Sequence, residues 1–344
     1  MRLQSKLEDN MATITDVAKL AGVSSATVSR VMHKNAQDDG NTHKKAKDAM
    51  VVPGLRPNSI AQSLASNRSN SVGILVSELH GTFFGQMMAG IEAELRAAGK
   101  HVIITTGHSE EDQEKDGIEF LISRNCDAFI LHVEAVSDDF LIHLCEGGLP
   151  VYLMSRSVEG LSEKCISLNN ELGGYLATQS VIEQGHSNIA YIAGPQFKPD
   201  AKDRLAGHKR ALAANNIPFD EGLYFEGDFK ETGGSEGLKY FINNKRVFSA
   251  LVCANDEMAS GSITYAREQG FSLPEELSII GFDNMNFTRH TYPKLTTIDN
   301  PVNLMGHMAA KLVLKNVYQQ KQLSITHFFE PTLITRDSVI CNPN

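Results

Sequence analysis

Two doubly wound α/β lobes with parallel sheets, preceded by a small all-α unit, are the fold class this sequence predicts. Three observations carry the prediction. From Ser71 onward, short continuous apolar runs alternate with amphipathic segments, the pattern of parallel strands covered by helices on both faces. Near the start, apolar residues instead recur at helical spacing on either side of one glycine, Gly22. Charge divides along the same line, with a formal +4 in residues 1–70 and −13 in the remainder. At 344 residues, the chain is long enough for two or three folding units.

The first elements lie in "DVAKLAGVSSATVSRV", Asp16 to Val31. Thr13 can cap a helix opening at Ile14, with Val17 and Leu20 on one face. Gly22 supplies the turn, and Ser24 can cap a second helix that buries Val28 and Val31. Two short helices joined at a glycine form a helix-turn-helix, whose second helix enters the major groove by its N-terminal residues. Here those are Ser25, Ala26 and Thr27, with Arg30 a turn further on. Small residues allow close approach, and arginine can read guanine or clamp phosphate. From the residues alone, DNA binding and an ordinary surface hairpin fit equally.

The strand-like runs are "SVGILV", "HVIITT", "DAFILHV", "PVYLM", "NIAYIAG", "SALVCAN" and "LSIIGFD", with helices such as "GQMMAGIEAELRAAG" between them. In such folds ligands sit beyond the carboxyl ends of the strands. His80, Phe83 and Phe84 follow the first run, and Ser155 and Arg156 the fourth. Asn255 with Asp256, and Asp283 with Asn284, follow the last two. Carboxylates and amides bind vicinal hydroxyls, arginine donates to two oxygens, and aromatic rings cover a pyranose face. The set suits a neutral sugar better than a phosphate. His132, ending the third run, either lines the same cleft or serves local structure. "TGGSEG" at 232–237 reads as a turn into a helix.

Other classes are disfavoured. No phosphate loop, dinucleotide fingerprint, nucleophile elbow or zincin motif occurs, so no enzyme, catalytic residue or cofactor is expected. Twelve histidines lack metal spacing. Five scattered cysteines fit reduced thiols in a cytoplasmic protein. No run approaches the ~20 apolar residues of a membrane span, and no signal-peptide core precedes the lobes, which argues against a periplasmic sugar receptor.

"ATITDVAKLAGVSSATVSRVM" resembles the opening of the lactose/galactose repressor family, and the likeness runs through the whole chain, nearest to the galactose repressor subgroup. The resemblance implies a start at Met11, with residues 1–10 an extension, a helix-turn-helix headpiece over 11–56, a hinge helix and linker over 57–70, and a periplasmic-binding-protein-like body over 71–344. It implies that "RPNSIAQSLA" carries Asn58 as a DNA contact and Leu64 as a wedge into a minor-groove step. It places the sugar-clamping arginine at Arg204 in "DRLAG", hydroxyl-binding groups at Asn255 and Asp283, and a stacking ring at Phe229. Ser155 stands where relatives often have Asp or Asn, and Gly81-Thr82 replaces the usual Asp-Pro before the two aromatics. A homodimer on a palindromic operator is implied, with the helix from Gly85 to Ala98 as a contact. Release by galactose or a related sugar is the subgroup's habit, and corepression uses the same architecture.

The pattern breaks within the headpiece, between its first two helices and the hinge. Asp38 replaces an apolar residue, position 40 is glycine, and Pro53 falls where leucine normally packs. Glycine costs a helix interior about 1 kcal/mol and proline about 3. Either the third helix is shortened, with Lys44, Lys45 and Lys47 facing phosphates, or the headpiece is unstable. The first alternative, a working but marginal headpiece, is favoured because helices and hinge are otherwise intact. The second would leave a cytoplasmic sugar-binding protein with weakened DNA binding.

Overall fold

The computed structural model describes residues 14–32, 44–45, 48–49 and 68–342. It divides into two units, Met1–Asn70 and Ser71–Asn344.

In the first unit, α1 (Ile14–Ala21) and α2 (Ser25–Met32) are joined at Gly22, whose φ of 67° is left-handed. Ser24 Oγ accepts from the Thr27 amide at 3.1 Å and so caps α2, which aligns the free amides of its first turn. Val17, Ala18, Val28 and Ala49 form the core. Leu20, expected beside Val17, is instead 55% exposed, and Ala18 takes the inward position. Ser25 and Ala26 are exposed, as are the helical Lys44 and Lys45. Thr13, Asn58, Leu64, Asp38, Gly40, Lys47 and Pro53 lie outside the described residues, as does the side chain of Arg30.

The second unit has two lobes. The first lobe is a six-stranded sheet in the order β11-β5-β4-β3-β1-β2, built from β1 (Ser71–Val76), β2 (His101–Thr106), β3 (Ala128–Leu131), β4 (Val151–Met154), β5 (Cys165–Leu168) and β11 (Phe328–Phe329), all parallel. Alternation along β1 assigns its faces. Val72, Ile74 and Val76 join the core under α3 (Thr82–Ala97) and α10 (Val302–Asn316), whereas Leu75 joins that under α4 (Glu111–Ser123) and α5 (Asp138–Glu146).

The second lobe carries a parallel sheet in the order β7-β6-β8-β9, from β6 (Ile189–Ala193), β7 (Tyr224–Glu226), β8 (Ala250–Cys253) and β9 (Ser278–Ile280). An antiparallel pair, β10 (Thr297–Asp299) with β12 (Thr332–Ile334), lies beside β9 through an Ile280–Thr296 bridge. Four helices flank it: α6 (Asn170–Glu183), α7 (Pro199–Ala214), α8 (Glu231–Asn243) and α9 (Asp256–Glu268). The chain therefore crosses between lobes after β5, after β10 and after β11.

Helices pair by reciprocal glycines. A Cβ at Gly174 of α6 would collide with the Arg204 carbonyl of α7, and one at Gly207 with the Glu171 carbonyl of α6. The same holds for Gly90 and Gly306 between α3 and α10, and for Gly234 and Gly261 between α8 and α9. "TGGSEG" is thus not a turn. It lies inside α8, where its glycines let the neighbouring backbone approach. No described helix is long and apolar enough to cross a membrane.

Candidate functional site

The strands of both lobes end at one cleft, as the doubly wound topology requires. It is lined from the first lobe by Ser77, Glu78, His80, Gly81, Phe83, Phe84, His132 and Glu134. The second lobe contributes Lys198, Asp200, Arg204, Asp228, Phe229, Lys230, Asn255, Glu257, Asp283 and Met285.

Arg204 is 3% exposed at the centre of the second-lobe wall. Its Nε donates to Asn170 Oδ1 at 3.0 Å and one terminal nitrogen to the Ala254 carbonyl at 2.6 Å. The other terminal nitrogen lies 3.3 Å from Asp283 Oδ1. The guanidinium covers the Phe282 ring at 3.7 Å from its centroid. The side chain is therefore fixed in place before any ligand arrives. Asp283 also accepts from Asn300 Nδ2 at 3.0 Å and holds φ at 107°. Burial pushes its carboxyl up to about 6, although Arg204 and Asn300 favour the charged form.

Asn255 caps α9, its Oδ1 accepting from the Met258 amide at 2.9 Å, and its Nδ2 donates to the Phe229 carbonyl at 2.8 Å. Asn255 thereby sets the loop on which Phe229 adopts a left-handed φ of 67°. That ring lies against Gly194, where any Cβ would meet it. Across the cleft, Phe83, Phe84 and His132 pack edge to face, with centroids 5.3–6.1 Å apart. His132 Nδ1 is 3.3 Å from Ser77 Oγ.

Of the sequence-predicted ligand residues, Phe83, Phe84, Arg204, Phe229, Asn255 and Asp283 meet in this cleft, and His80 joins them. Ser155 does not. It takes a left-handed φ of 59° at the end of β4, and its amide donates to the Ile166 carbonyl at 2.8 Å. Arg156 instead holds a first-lobe loop, donating to Asp138 at 2.6 Å and the Val136 carbonyl at 2.9 Å. Asp256 and Asn284 serve the second lobe. Asp256 accepts from the Met285 amide and Thr297 Oγ1, and Asn284 donates to Asp299.

Sequence reasoning missed the charged rim. Lys198 Nζ is 2.9 Å from Glu134 Oε2, and Lys230 Nζ is 3.6 Å from Glu78 Oε1, both across the cleft. Burial, together with nearby Glu231, Asp283 and Glu78, pushes Glu257 up to about 7. Glu78 and Glu134 each stand two or three residues past a strand run, so the strand-end rule could have found them. Among the described residues, no group of acidic, histidine or cysteine side chains could hold a metal ion.

Comparison with known proteins agrees with both parts of the chain. Residues 13–58 match the bacterial regulatory proteins of the lacI family, and residues 178–339 match the periplasmic binding protein-like domain. The transcriptional regulator GalR of Salmonella typhimurium is 36% identical over 329 residues, 96% of each chain. GalR of Escherichia coli is 35% identical over the same span, and the repressor PurR of Aliivibrio salmonicida 32% over 330 residues, 96% of this chain and 99% of that protein. The lac repressor dimer bound to operator and the anti-inducer ONPF is a similar solved structure, with a TM-score of 0.86, 26% identity and coverage of 96% of this chain and 100% of that one. A regulator from Enterococcus faecium with bound ribose has a TM-score of 0.70 and 29% identity over 79% of this chain and 99% of its own. The chain belongs to the lacI family of bacterial regulatory proteins and is a transcriptional regulator rather than an enzyme.

Proposed function

We propose that this regulator is a homodimeric, cytoplasmic repressor that binds a palindromic operator and releases it when galactose or a related neutral sugar occupies the cleft. The observation that carries the reading is the buried, prearranged set of Arg204, Asp283 and Asn255 around the Phe229 ring. Paired donors and acceptors beside an aromatic face suit adjacent hydroxyls on an apolar ring. Ser25, Ala26, Thr27 and Arg30 enter the major groove from α2, with Thr13, Ser24 and Asn58 as further DNA contacts and Leu64 in the minor groove. Two headpieces on two half-sites require a two-fold dimer.

A surface for that dimer lies on the first lobe. The inner face of α3, with Met87, Gly90, Ile91 and Leu95, is spent on the core, while Gly85, Ala89, Ala93 and Arg96 are exposed. Beside it the edge strand β2 has Ile104 38% exposed. β2 is the last strand of its sheet, so its edge is open for a second copy.

Sugar closing the cleft shifts the population of first-lobe arrangements across the dimer. About 100-fold preference for the released state, roughly 2.7 kcal/mol per site, empties an operator when two sites act together. The test is a gel-shift titration on a palindromic operator at fixed salt, with and without galactose. Retardation relieved by galactose is the expected result. Retardation that galactose strengthens makes the sugar a corepressor, and sugar binding without any DNA retardation leaves only the binding protein.

A further inference from the structure

We propose that Glu134 and Lys198 form a second polar clamp of the cleft, one that fixes which hydroxyls of the ligand are recognised and draws the two lobes together as it does so. The inference rests on the sugar reading of the cleft. Two cation–carboxylate pairs stand beside the ring assigned to the pyranose face. Arg204 Cζ and Lys198 Nζ each lie 5.7 Å from the Phe229 centroid. The first pair, Arg204 with Asp283, belongs wholly to the second lobe. The second pair spans the lobes, since Glu134 follows β3 and Lys198 is the N-cap of α7.

The Glu134–Lys198 pair is built, not incidental. The side chains are 10% and 15% exposed, far drier than the outer Lys230–Glu78 pair at 51% and 29%. Glu134 Oε2 accepts from Ser77 Oγ at 2.9 Å and from Ser109 Oγ, both first-lobe hydroxyls. Burial alone would raise its carboxyl, yet His132, Lys198 and Ser109 outweigh that and hold it below its ordinary range. The loop that carries it is pinned as well. The buried carboxylate of Glu114 accepts from the amides of Glu134 at 2.7 Å, Ala135 at 3.0 Å and Val136 at 2.8 Å. An anion so fixed on one lobe recruits the ammonium of the other only when the cleft is shut. A ligand stacked on Phe229 has the ammonium's remaining N–H bonds and the carboxylate's second oxygen within reach of hydroxyls that Arg204 and Asp283 do not serve.

Calorimetry on the full chain with galactose and its four monodeoxy analogues, for wild type, Glu134→Gln, Lys198→Met and the double variant, tests the clamp. Each single variant is expected to weaken galactose by about 10-fold or more. The double variant should be no weaker than the worse single. The penalty for one or two deoxy positions should vanish in these variants while persisting in Arg204→Met. Small-angle scattering of the sugar-free proteins supplies a readout independent of any sugar, in which both single variants should have a larger radius of gyration than wild type. Wild-type affinity with an unchanged deoxy profile in the single variants overturns the clamp. If no saccharide binds wild type, the sugar reading falls by itself, and scattering decides the rest: unchanged radii overturn the clamp, and expanded radii retain it for another hydroxylated ligand.

Discussion

On the second-lobe wall of the cleft, the polar groups proposed to meet ligand are already engaged. Arg204 has Asn170, Ala254 and Asp283, and Asn255 has Met258 and Phe229. Asp283 and Phe229 moreover hold left-handed backbone, at about 1–3 kcal/mol of local strain each. The first-lobe wall is mostly ring edges, from Phe83, Phe84 and His132, with Glu134 as its fixed charge. One lobe is a prearranged half-site whose orientation cost is met at folding, and the other is a cover that adapts to what is bound. Binding geometry and closure can therefore be perturbed separately.

Four changes would break or sharpen that contrast. Arg204→Met should have the largest effect, lowering galactose affinity by about 100-fold or more in calorimetry, because two charge-assisted hydrogen bonds are lost from a dry site. Gly174→Ala comes next. Its methyl group meets the Arg204 carbonyl, so thermal melts should show about 1–3 kcal/mol of destabilisation with weaker sugar binding, although the substituted residue touches no ligand.

Glu114→Gln, on the first lobe, should cost a similar or smaller amount of stability, about 1–3 kcal/mol, by leaving one of three amides poorly paired. Sugar affinity should follow it less than it follows Gly174→Ala, since only the cover is loosened. Glu257→Gln should do least. The folded carboxyl titrates near 7, above its ordinary 4.5, so the folded state holds the proton more tightly. The stability it contributes is full below about 4.5 and is lost as pH rises through 7. Melting temperatures across that range should fall less steeply in the variant than in wild type. An unchanged slope would remove Glu257 from the account.

Much of this architecture was legible in the sequence because burial on both faces leaves continuous apolar runs. β1, β2, β3, β4, β6, β8 and β9 all lie within quoted runs. β5, β7, β10, β11 and β12 lie outside those runs; β7, β11 and β12 have two or three residues and are partly exposed, so no continuous apolar run marks them. The reciprocal glycines were unreadable for another reason. A glycine at a helix crossing and one in a turn look alike until the second helix is in place, hence the misreading of "TGGSEG". Strand-end reasoning pointed to Phe83, Phe84, Asn255 and Asp283, which line the cleft, whereas Arg204 and Phe229 came from the family resemblance. Strand-end reasoning failed at Ser155, where the chain turns away at once, and overlooked Glu134 and Lys198, whose partnership crosses about 60 residues of chain and two lobes.

The three crossings between lobes bear on how the protein is made. The first lobe lacks one of the two helices that cover one sheet face until Asn316 has been synthesised, and lacks its outermost strand until Phe329. The second lacks β12 until Ile334. Neither half can finish on the ribosome ahead of the other, because the first waits for β11 and the second for β12, which follow one another in the chain. A nascent chain stalled before position 300 would thus display a first-lobe sheet short of α10 and its outermost strand, beside a second lobe short of β12 alone, and a holdase would be expected chiefly on the first.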